Sequence, residues 1–433
     1  IVDNNLVGPD NYADYIVYLY SSNYNTIQNN SITHGFRGIY LTYRTEDGNY
    51  LGSNFNQILN NTISNLGDDP IQVERSHYNT FSYNSLSTTG GTYGFDVSNS
   101  NNNTFSYNYL VAQWHGFVIS GNYNTIIYNT VEEIQYDGIV LTGSNNIISN
   151  NTIKDNGGNG ITLDGSDSNT ISDNTIKDND EIGIYLTDSD SNTISNNTFS
   201  DNEFYEIFLV SNSDDNLLIG FVSDVYVSSN SDLTIKNYLT IKISLGNNLV
   251  NGSDVQIKDN SSILYATSYY NGSDDKTVNG TIQTLLITDR IYNENSTAIE
   301  NITELKIKYE NYTKTINVNM STSHTEFVIL ENPPVANITS NPYILTTKLF
   351  ANFTFTSDKA NSTFQCSLDS SSWSNCTSPK SYSNLSEGNH IFQVKAISET
   401  NLTGPIAYYN WTIDITDPIT TISSGPSNPT NSQ

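Results

Sequence analysis

Twelve residues, "SNTISDNTIKDN" from Ser168, return almost unchanged as "SNTISNNTFSDN" from Ser191, and that recurrence governs what the first half of the chain can become. Alignment on the motif gives starts at Asn25, Asn56, Asn79, Asn103, Asn124, Asn146, Asn169 and Asn192, mostly 21 to 24 residues apart. Two residues after each start stands Ile or Phe, and seven after stands another large apolar residue, from Ile32 to Phe199. Five after stands Asn without exception, from Asn30 to Asn197. Each unit then carries a short alternating segment, such as "GIYL" at Gly38, "GFDV" at Gly94, "GIVL" at Gly138 and "GITL" at Gly160.

Segments this short, separated by Asn or Gly, are strands joined by tight turns, because those residues tolerate left-handed backbone. Three such strands in a period near 23 make a solenoid whose coils stack on one another. Parallel strands lie about 4.8 Å apart, so about nine coils make a rod roughly 40 Å long. The unit starting at Asn25 is longer and fits if about eight residues of "TYRTEDGNYLGSNF" leave as a loop. Columns of identical Asn can hydrogen-bond from coil to coil and so satisfy their own buried amides.

These units resemble the parallel β-helix repeat family of archaeal and bacterial surface proteins, over residues 1 to about 219. The resemblance implies a right-handed parallel β-helix. It implies no single activity, since the same coil carries polysaccharide lyases, glycosidases, copper-site maturation proteins and structural adhesins.

Beyond residue 219 the alternating segments lengthen, as in "LTIKISLG" and "ELKIKYE", and "NGS" turns separate them. Residues 220–332 read as a β-sandwich similar to carboxypeptidase-regulatory-like or Ig-like modules. Residues 333–417, with "FQCSLDSSSWSNC", resemble a tandem Ig-like module of prokaryotic surface proteins. "PITTISSGP" from Pro418 repeats "PVANITSNP" from Pro334, so residues 418–433 read as the first strand of a further copy, or as a linker or docking strand. The fold class expected is all-β, a solenoid followed by two Ig-like sandwiches. Ile1 opens and Gln433 closes in mid-pattern, which suggests a processed chain or a fragment. Cys366 and Cys376, the only two cysteines, lie in the part that matches the tandem Ig-like module; a bridge between them would close a short loop, worth about 3 kcal/mol, and imply an oxidising, extracellular setting, the alternative being a reduced pair.

The 433 residues hold 45 acids against 17 Lys and Arg, a formal charge of -28 that would repel a phosphate backbone. Nucleic acid is thereby excluded as a partner. No apolar run is long enough to enter a membrane. Residues 1–219 contain five N-x-[ST] sequons where their Asn, Ser and Thr content predicts about eight by chance. From residue 220 there are fifteen where about seven are predicted: Asn251, Asn260, Asn271, Asn279, Asn295, Asn301, Asn311, Asn319, Asn337, Asn352, Asn361, Asn375, Asn384, Asn401 and Asn410. That surplus suggests glycans on a secreted, archaeal cell-surface protein.

Stacking turns a repeated acid into a column. Glu133, Asp155, Asp178 and Asp201 share one position, and Asp167, Asp190 and Asp214 another. Carboxylates at this spacing repel, and calcium would relieve them; the plainer reading is that Asp favours turns and that Lys154 and Lys177 screen it. Tyr83, Tyr107 and Tyr128 form an aromatic column near Tyr109 and Trp114, either a sugar-stacking platform or a stiffening ladder. His34, His77 and His115 read as turn residues. The paired acids of β-helix glycosidases and the acid-plus-base sets of pectate-lyase-like enzymes find no match, and no catalytic residue is assigned. The role expected is non-enzymatic: an extracellular structural protein that self-assembles into a surface layer, sheath or filament. A carbohydrate-binding adhesin that engages surface glycans is the alternative, and a polysaccharide-acting β-helix enzyme the third choice.

Overall fold

A computed structural model describes residues 1–8, 15–87, 93–245, 248–259, 262–292, 298–310, 312–399, 402–421 and 423–424. Among these, regular structure is all strand apart from a single 3-10 turn at Ser268–Tyr270. Two compact units result: Ile1–Ser244 with Asn248–Val328, and Leu245–Asn247 with Ile329–Gln433.

The chain is a parallel β-solenoid of about nine turns followed by smaller sheets. One coil shows how it is made. From Asn124, the first strand is Thr125–Ile127, the second Thr130–Glu132 and the third Ile139–Thr142, each too short to bend and each ended by a turn. Equivalent strands pair in parallel, so that Ile148, Ile171 and Ile194 lie in register in the first sheet. The second sheet has nine strands and the third ten among the described residues.

The apolar columns fill the interior: Ile126, Ile148, Ile171 and Ile194 are all fully buried. Where coils carry Phe, the rings stack as well, Phe81 on Phe105 at 5.0 Å and Phe95 on Phe117 at 4.9 Å. The Gly at the start of most third strands has a steric reason. A Cβ on Gly116 would lie 2.4 Å from the carbonyl oxygen of Gly138 in the next coil.

Both Asn columns form ladders at the two ends of the first strand. In the one that follows the strand, Asn129 accepts from the backbone N–H of Asn108 at 2.9 Å and from its amide at 3.0 Å. The Asn129 amide donates onward to Asn151 at 3.0 Å and back to the Phe105 carbonyl at 3.0 Å. Every polar atom of such an amide is thus used, which is what permits its burial. A third Asn column, Asn156, Asn179 and Asn202, starts before the third sheet, with amide-to-carbonyl links of 2.8 Å at both steps. Buried Ser76, Ser100, Ser166, Ser189 and Ser213 do the same work at the remaining corner, as in the 3.0 Å bond from the Ser76 N–H to the Ser100 hydroxyl.

The long unit leaves the coil as a hairpin, Arg44–Glu46 against Asn49–Leu51. It is clamped by the guanidinium of Arg75, which sits 3.8 Å from the ring centre of Tyr50 and 5.1 Å from that of Tyr43.

Residue 220 marks a change of pattern without a break in the sheet. Leu233–Leu245 pairs in parallel with Asn216–Ile219 and in antiparallel with Thr281–Tyr292, so one 13-residue strand carries the rod's first sheet into the next region. A four-stranded sheet formed by Asp254–Asp259, Ser262–Ala266, Thr303–Tyr309 and Tyr312–Val318 completes that unit. The second unit has sheets of three and five strands around Phe353, Phe392 and Trp411. Cys366 and Cys376 form a disulfide there, across a pair of adjacent strands.

Candidate functional site

The tyrosine column forms as a column. Tyr83, Tyr107 and Tyr128 stack at 4.9 Å with planes within 5° of parallel. All three take left-handed backbone, which is costly for a bulky side chain and which Asn takes in the same column at Asn29, Asn60, Asn150 and Asn196. A parallel column, Tyr24, Phe55 and Tyr78, stacks at 5.2 and 5.1 Å on the other side of the first strand. Stacking along the rod occupies both faces of Tyr107, leaving its edge and hydroxyl for solvent. Tyr109 and Trp114 stand elsewhere: Tyr109 lies in the second sheet and donates to Glu132 at 2.7 Å, and Trp114 precedes a third-sheet strand and meets Tyr136 edge-on. The five aromatic residues are therefore not one platform.

The two acidic columns form as columns of turn residues with near partners. Glu133, Asp155, Asp178 and Asp201 all occupy left-handed turn positions. Lys154 reaches Glu132 at 2.8 Å and Asp155 at 3.0 Å, and Lys177 reaches Asp178 at 2.8 Å. Asp167 accepts the backbone N–H of Asp190 at 2.9 Å, and Asp190 that of Asp214 at 2.8 Å. The carboxylates thus serve as turn ligands for neighbouring coils. Among the described residues no group of three or more His, Cys, Asp and Glu is gathered to hold a metal ion.

Of the downstream sequon residues, Asn251, Asn271, Asn279, Asn319, Asn337, Asn352, Asn361, Asn375, Asn384 and Asn410 are exposed and Asn301 is half-buried; Asn260, Asn295, Asn311 and Asn401 lie outside the described residues. Sequon residues Asn29, Asn60, Asn102, Asn150 and Asn196 of the rod all sit in left-handed turns.

The outer face of the third sheet concentrates unlike polar side chains. Alternation sets Tyr18, Tyr40, Gln72 and Asp96 in register on four successive strands and sends them away from the buried Ile39, Val73 and Val97. A relay crosses these coils. Asp68 accepts from Arg37 Nε at 2.7 Å, Arg37 Nη1 donates to the Tyr15 hydroxyl at 2.6 Å, that hydroxyl donates to Gln72 Oε1 at 3.1 Å, and Gln72 Nε2 donates to Asp96 Oδ2 at 2.9 Å. Beside it, Glu74 accepts from the Tyr40 hydroxyl and from Thr42 at 3.2 Å.

Burial pushes the Asp96 carboxyl above the usual range for Asp, against the favourable Gln72 bond and the nearby Arg37. Burial likewise raises the Tyr15 and Tyr40 phenols, Tyr40 further through its bond to Glu74. His115 is a strand residue of this sheet, contrary to the turn expected. Its pKa is lowered by burial, so the ring is neutral at pH 7. It lies between Tyr93 at 5.7 Å and Tyr136 at 5.4 Å. Exposed Tyr18, Tyr20, Trp114 and Tyr136 border the face.

Repeat-based reasoning missed this face because it looks for sameness. The usable signal was the residue after each Ile or Phe of the "GI.L" segments, which runs Tyr40, Asp96, Val118, Val140, Thr162 and Tyr185 while its neighbours stay constant.

Residues 1–123 match the family described as "Right handed beta helix region", and residues 113–222 match "Periplasmic copper-binding protein (NosD)". No curated protein matches the chain. Among solved structures, a periplasmic alginate epimerase is 14% identical over 50% of this chain and 69% of its own, with a TM-score of 0.42. A pectate lyase is 13% identical over 52% and 67%, with a TM-score of 0.38. A surface adhesin of Streptococcus pneumoniae is 13% identical over 70% and 79%, with a TM-score of 0.35. Copper does not fit the matched residues: 113–222 contain one His, His115, and neither Cys nor Met.

Proposed function

We propose that this parallel β-helix repeat protein is a secreted or cell-surface glycan-binding protein of adhesin type, with no catalytic activity, and that the outer face of its third sheet is the binding surface. The observation that carries this reading is the cluster of Tyr15, Arg37, Tyr40, Gln72, Glu74 and Asp96, linked by hydrogen bonds and bordered by exposed tyrosines. Amides, carboxylates and phenols suit the hydroxyls of a sugar, and aromatic borders suit its C–H faces. Partly burying ionisable groups costs stability, and such groups cluster where a ligand is handled. The disulfide and the surplus of sequons accord with an extracellular location.

A glycan array tests this reading. Binding should be lost when Trp114 and Tyr18 are both replaced by Ala and retained in Tyr107→Asn; an array on which the parent chain binds nothing would overturn it. Turnover of any bound polysaccharide would instead make the protein an enzyme.

Self-assembly into a surface layer, sheath or filament is the second reading. It is favoured by exposed Tyr343, Ile344 and Leu345 at the edge strand of the five-stranded sheet, since unpaired edges and apolar residues invite a neighbouring copy. Electron microscopy and sedimentation at high concentration, with and without calcium, test it. A chain that stays monomeric throughout sinks it.

A further inference from the structure

We propose that the tyrosine column Tyr83, Tyr107 and Tyr128 is a site of oxidative cross-linking, at which a peroxidase and hydrogen peroxide join successive rings as dityrosine and so tie neighbouring coils together. The inference stands apart from the glycan reading, because the column flanks the first sheet and not the third.

Equivalent atoms of neighbouring rings lie one coil step apart. Tyr83, Tyr107 and Tyr128 follow the strands Thr80–Ser82, Thr104–Ser106 and Thr125–Ile127, which pair in register, and their φ angles of 58°, 56° and 58° repeat one turn. The rings are therefore copies shifted along the rod, with centres 4.9 Å apart and planes 3° and 5° from parallel. Each ring carbon next to a hydroxyl meets its counterpart in the next coil at about that spacing. The three residues are 59%, 47% and 45% exposed, so an oxidant reaches their hydroxyl edges and the side chains have room to swing the remaining distance.

Other oxidisable groups are less open to this chemistry. Sulfur is ordinarily oxidised early, yet both cysteines are in the disulfide and the one methionine, Met320, is buried. Tyr15 and Tyr40 also stack, at 4.4 Å, but both are half-buried and their hydroxyls are held by Arg37, Gln72 and Glu74. Burial raises both of these phenols, which opposes loss of their protons. In the second aromatic column Phe55 stands between Tyr24 and Tyr78, and a ring without a hydroxyl gives no phenoxyl radical.

Each of two neighbouring phenols gives up one electron and its hydroxyl proton, and the two phenoxyl radicals couple through ring carbons ortho to the oxygens. The hydrogens on those carbons leave as protons while water returns protons to the oxygens, which restores both phenols. Two ring C–H bonds are thus replaced by one C–C bond, and the two electrons and two protons reduce one hydrogen peroxide to two waters. The bond joins residues 24 apart, Tyr83 to Tyr107, or 21 apart, Tyr107 to Tyr128. Each coil of a solenoid is held by the coils beside it, so a covalent link between neighbours hinders their separation and constrains the unfolded chain.

The test treats the dilute full chain with a haem peroxidase and hydrogen peroxide, and reads dityrosine fluorescence, intact mass and linked peptides. The parent is compared with Tyr107→Phe and Phe55→Tyr; both substitutions keep a ring in its stack, and circular dichroism establishes that they fold. The parent should become lighter by two hydrogens for each bond and yield peptides joined from Tyr107 to Tyr83 or Tyr128. Tyr107→Phe should lose that linkage and nearly all the fluorescence. Phe55→Tyr should gain a linkage from position 55 to Tyr24 or Tyr78, and its failure to do so while the parent links would overturn register as the cause. Urea unfolding of the linked parent should move to a higher midpoint than that of the untreated chain, and an unchanged midpoint overturns the tie between coils. Dityrosine found mainly between two chains, as a covalent dimer on a denaturing gel, overturns the assignment to one column. A linkage of Tyr15 to Tyr40, or oxidation of the exposed Trp114 that leaves the three tyrosines intact, overturns it equally.

Discussion

The two sides of one coil obey opposite rules. Along the first strand, column after column repeats the same residue: Asn at both ends and Ile or Phe between, all buried and fully hydrogen-bonded or packed. Along the outward positions of the third strand, the residue changes at almost every step, from Tyr40 to Gln72 to Asp96 to Val118. Backbone geometry is the same on both sides, so the difference lies in what the side chains are for. Repetition builds a surface in which each residue supports its copies above and below. A mixed column gains nothing from its neighbours in that way, and a raised Asp96 and a lowered His115 set environment against charge.

Breaking a ladder should therefore have the largest effect. Asn129→Ala leaves the Asn108 N–H, the Asn108 amide and the Phe105 carbonyl without their partner, all of them buried. Unsatisfied buried groups cost about 1–3 kcal/mol each, relaxation recovers part, and a net loss of about 2–4 kcal/mol follows. Denaturant unfolding measures it. A loss below about 0.5 kcal/mol would mean that the ladders follow from the stacking and do not support it. A replacement on the opposite side, Val140→Thr, should cost far less.

The aromatic columns stand between these extremes, and two substitutions at one residue sharpen where they belong. Tyr107→Asn puts into a left-handed position a residue that the same column already uses at Asn60 and Asn150. Its stability should stay within about 0.5 kcal/mol of the parent, the lost stacking being offset by relief of backbone cost. Tyr107→Val loses the stacking and keeps the strain, at about 1–2 kcal/mol. Should both variants lose equally, ring stacking and not backbone conformation sets the balance, and the column is structural in the strict sense of the Asn ladders.

A smaller effect is expected where an insertion meets the rod. Arg75→Ala removes the guanidinium that lies against Tyr50 and Tyr43, an interaction worth about 1 kcal/mol. Hydrogen exchange should rise in the hairpin at residues 44–51 and stay unchanged in the coils above and below. A rise that spreads into the coils would show that the hairpin helps to hold them.

The same contrast explains how much could be read from the sequence. Stacked columns are repeats, and repeats are visible in one chain, so the coils, the Asn ladders at Asn25 and Asn30 and the place of the inserted loop were all legible, though not the pairing of that loop into a hairpin. The Asn156 column was less so because it is short and gives way to Ile134 and Gln113 in earlier coils. The binding face was not legible. Tyr15, Arg37, Gln72 and Asp96 come from four coils whose lengths differ, and only the register brings them into one relay. For the acid columns, the shared position and the screening by Lys154 and Lys177 were visible, but the contact of Lys154 with Glu132 and the backbone N–H bonds of Asp167 and Asp190 were not, since they depend on side-chain reach. At residue 220 the change in pattern was real, yet a strand that alternates can continue one sheet and begin another, as Leu233–Leu245 does.

The smallest effect is the most telling, because its sign distinguishes a recognition face from a ladder. The folded pKa of Asp96 lies above its unfolded value, so the folded chain binds that proton more tightly. Its contribution to stability is present below the unfolded value, near about 4, and is lost as pH rises through the folded one. Asp96→Asn removes that loss, and the variant should be slightly more stable than the parent at pH 7 and equal to it at pH 3. His115 runs the other way: its lowered pKa favours folding above about 6.5 and loses that favour as pH falls through the folded value. His115→Gln should therefore reduce the destabilisation seen on acidification between those values. A ladder residue can only weaken the rod when replaced, whereas a residue kept for a ligand can strengthen it. Thermal unfolding at pH 3, 5 and 7 decides between them, and an Asp96→Asn variant that is less stable at every pH would place this carboxylate among the structural columns.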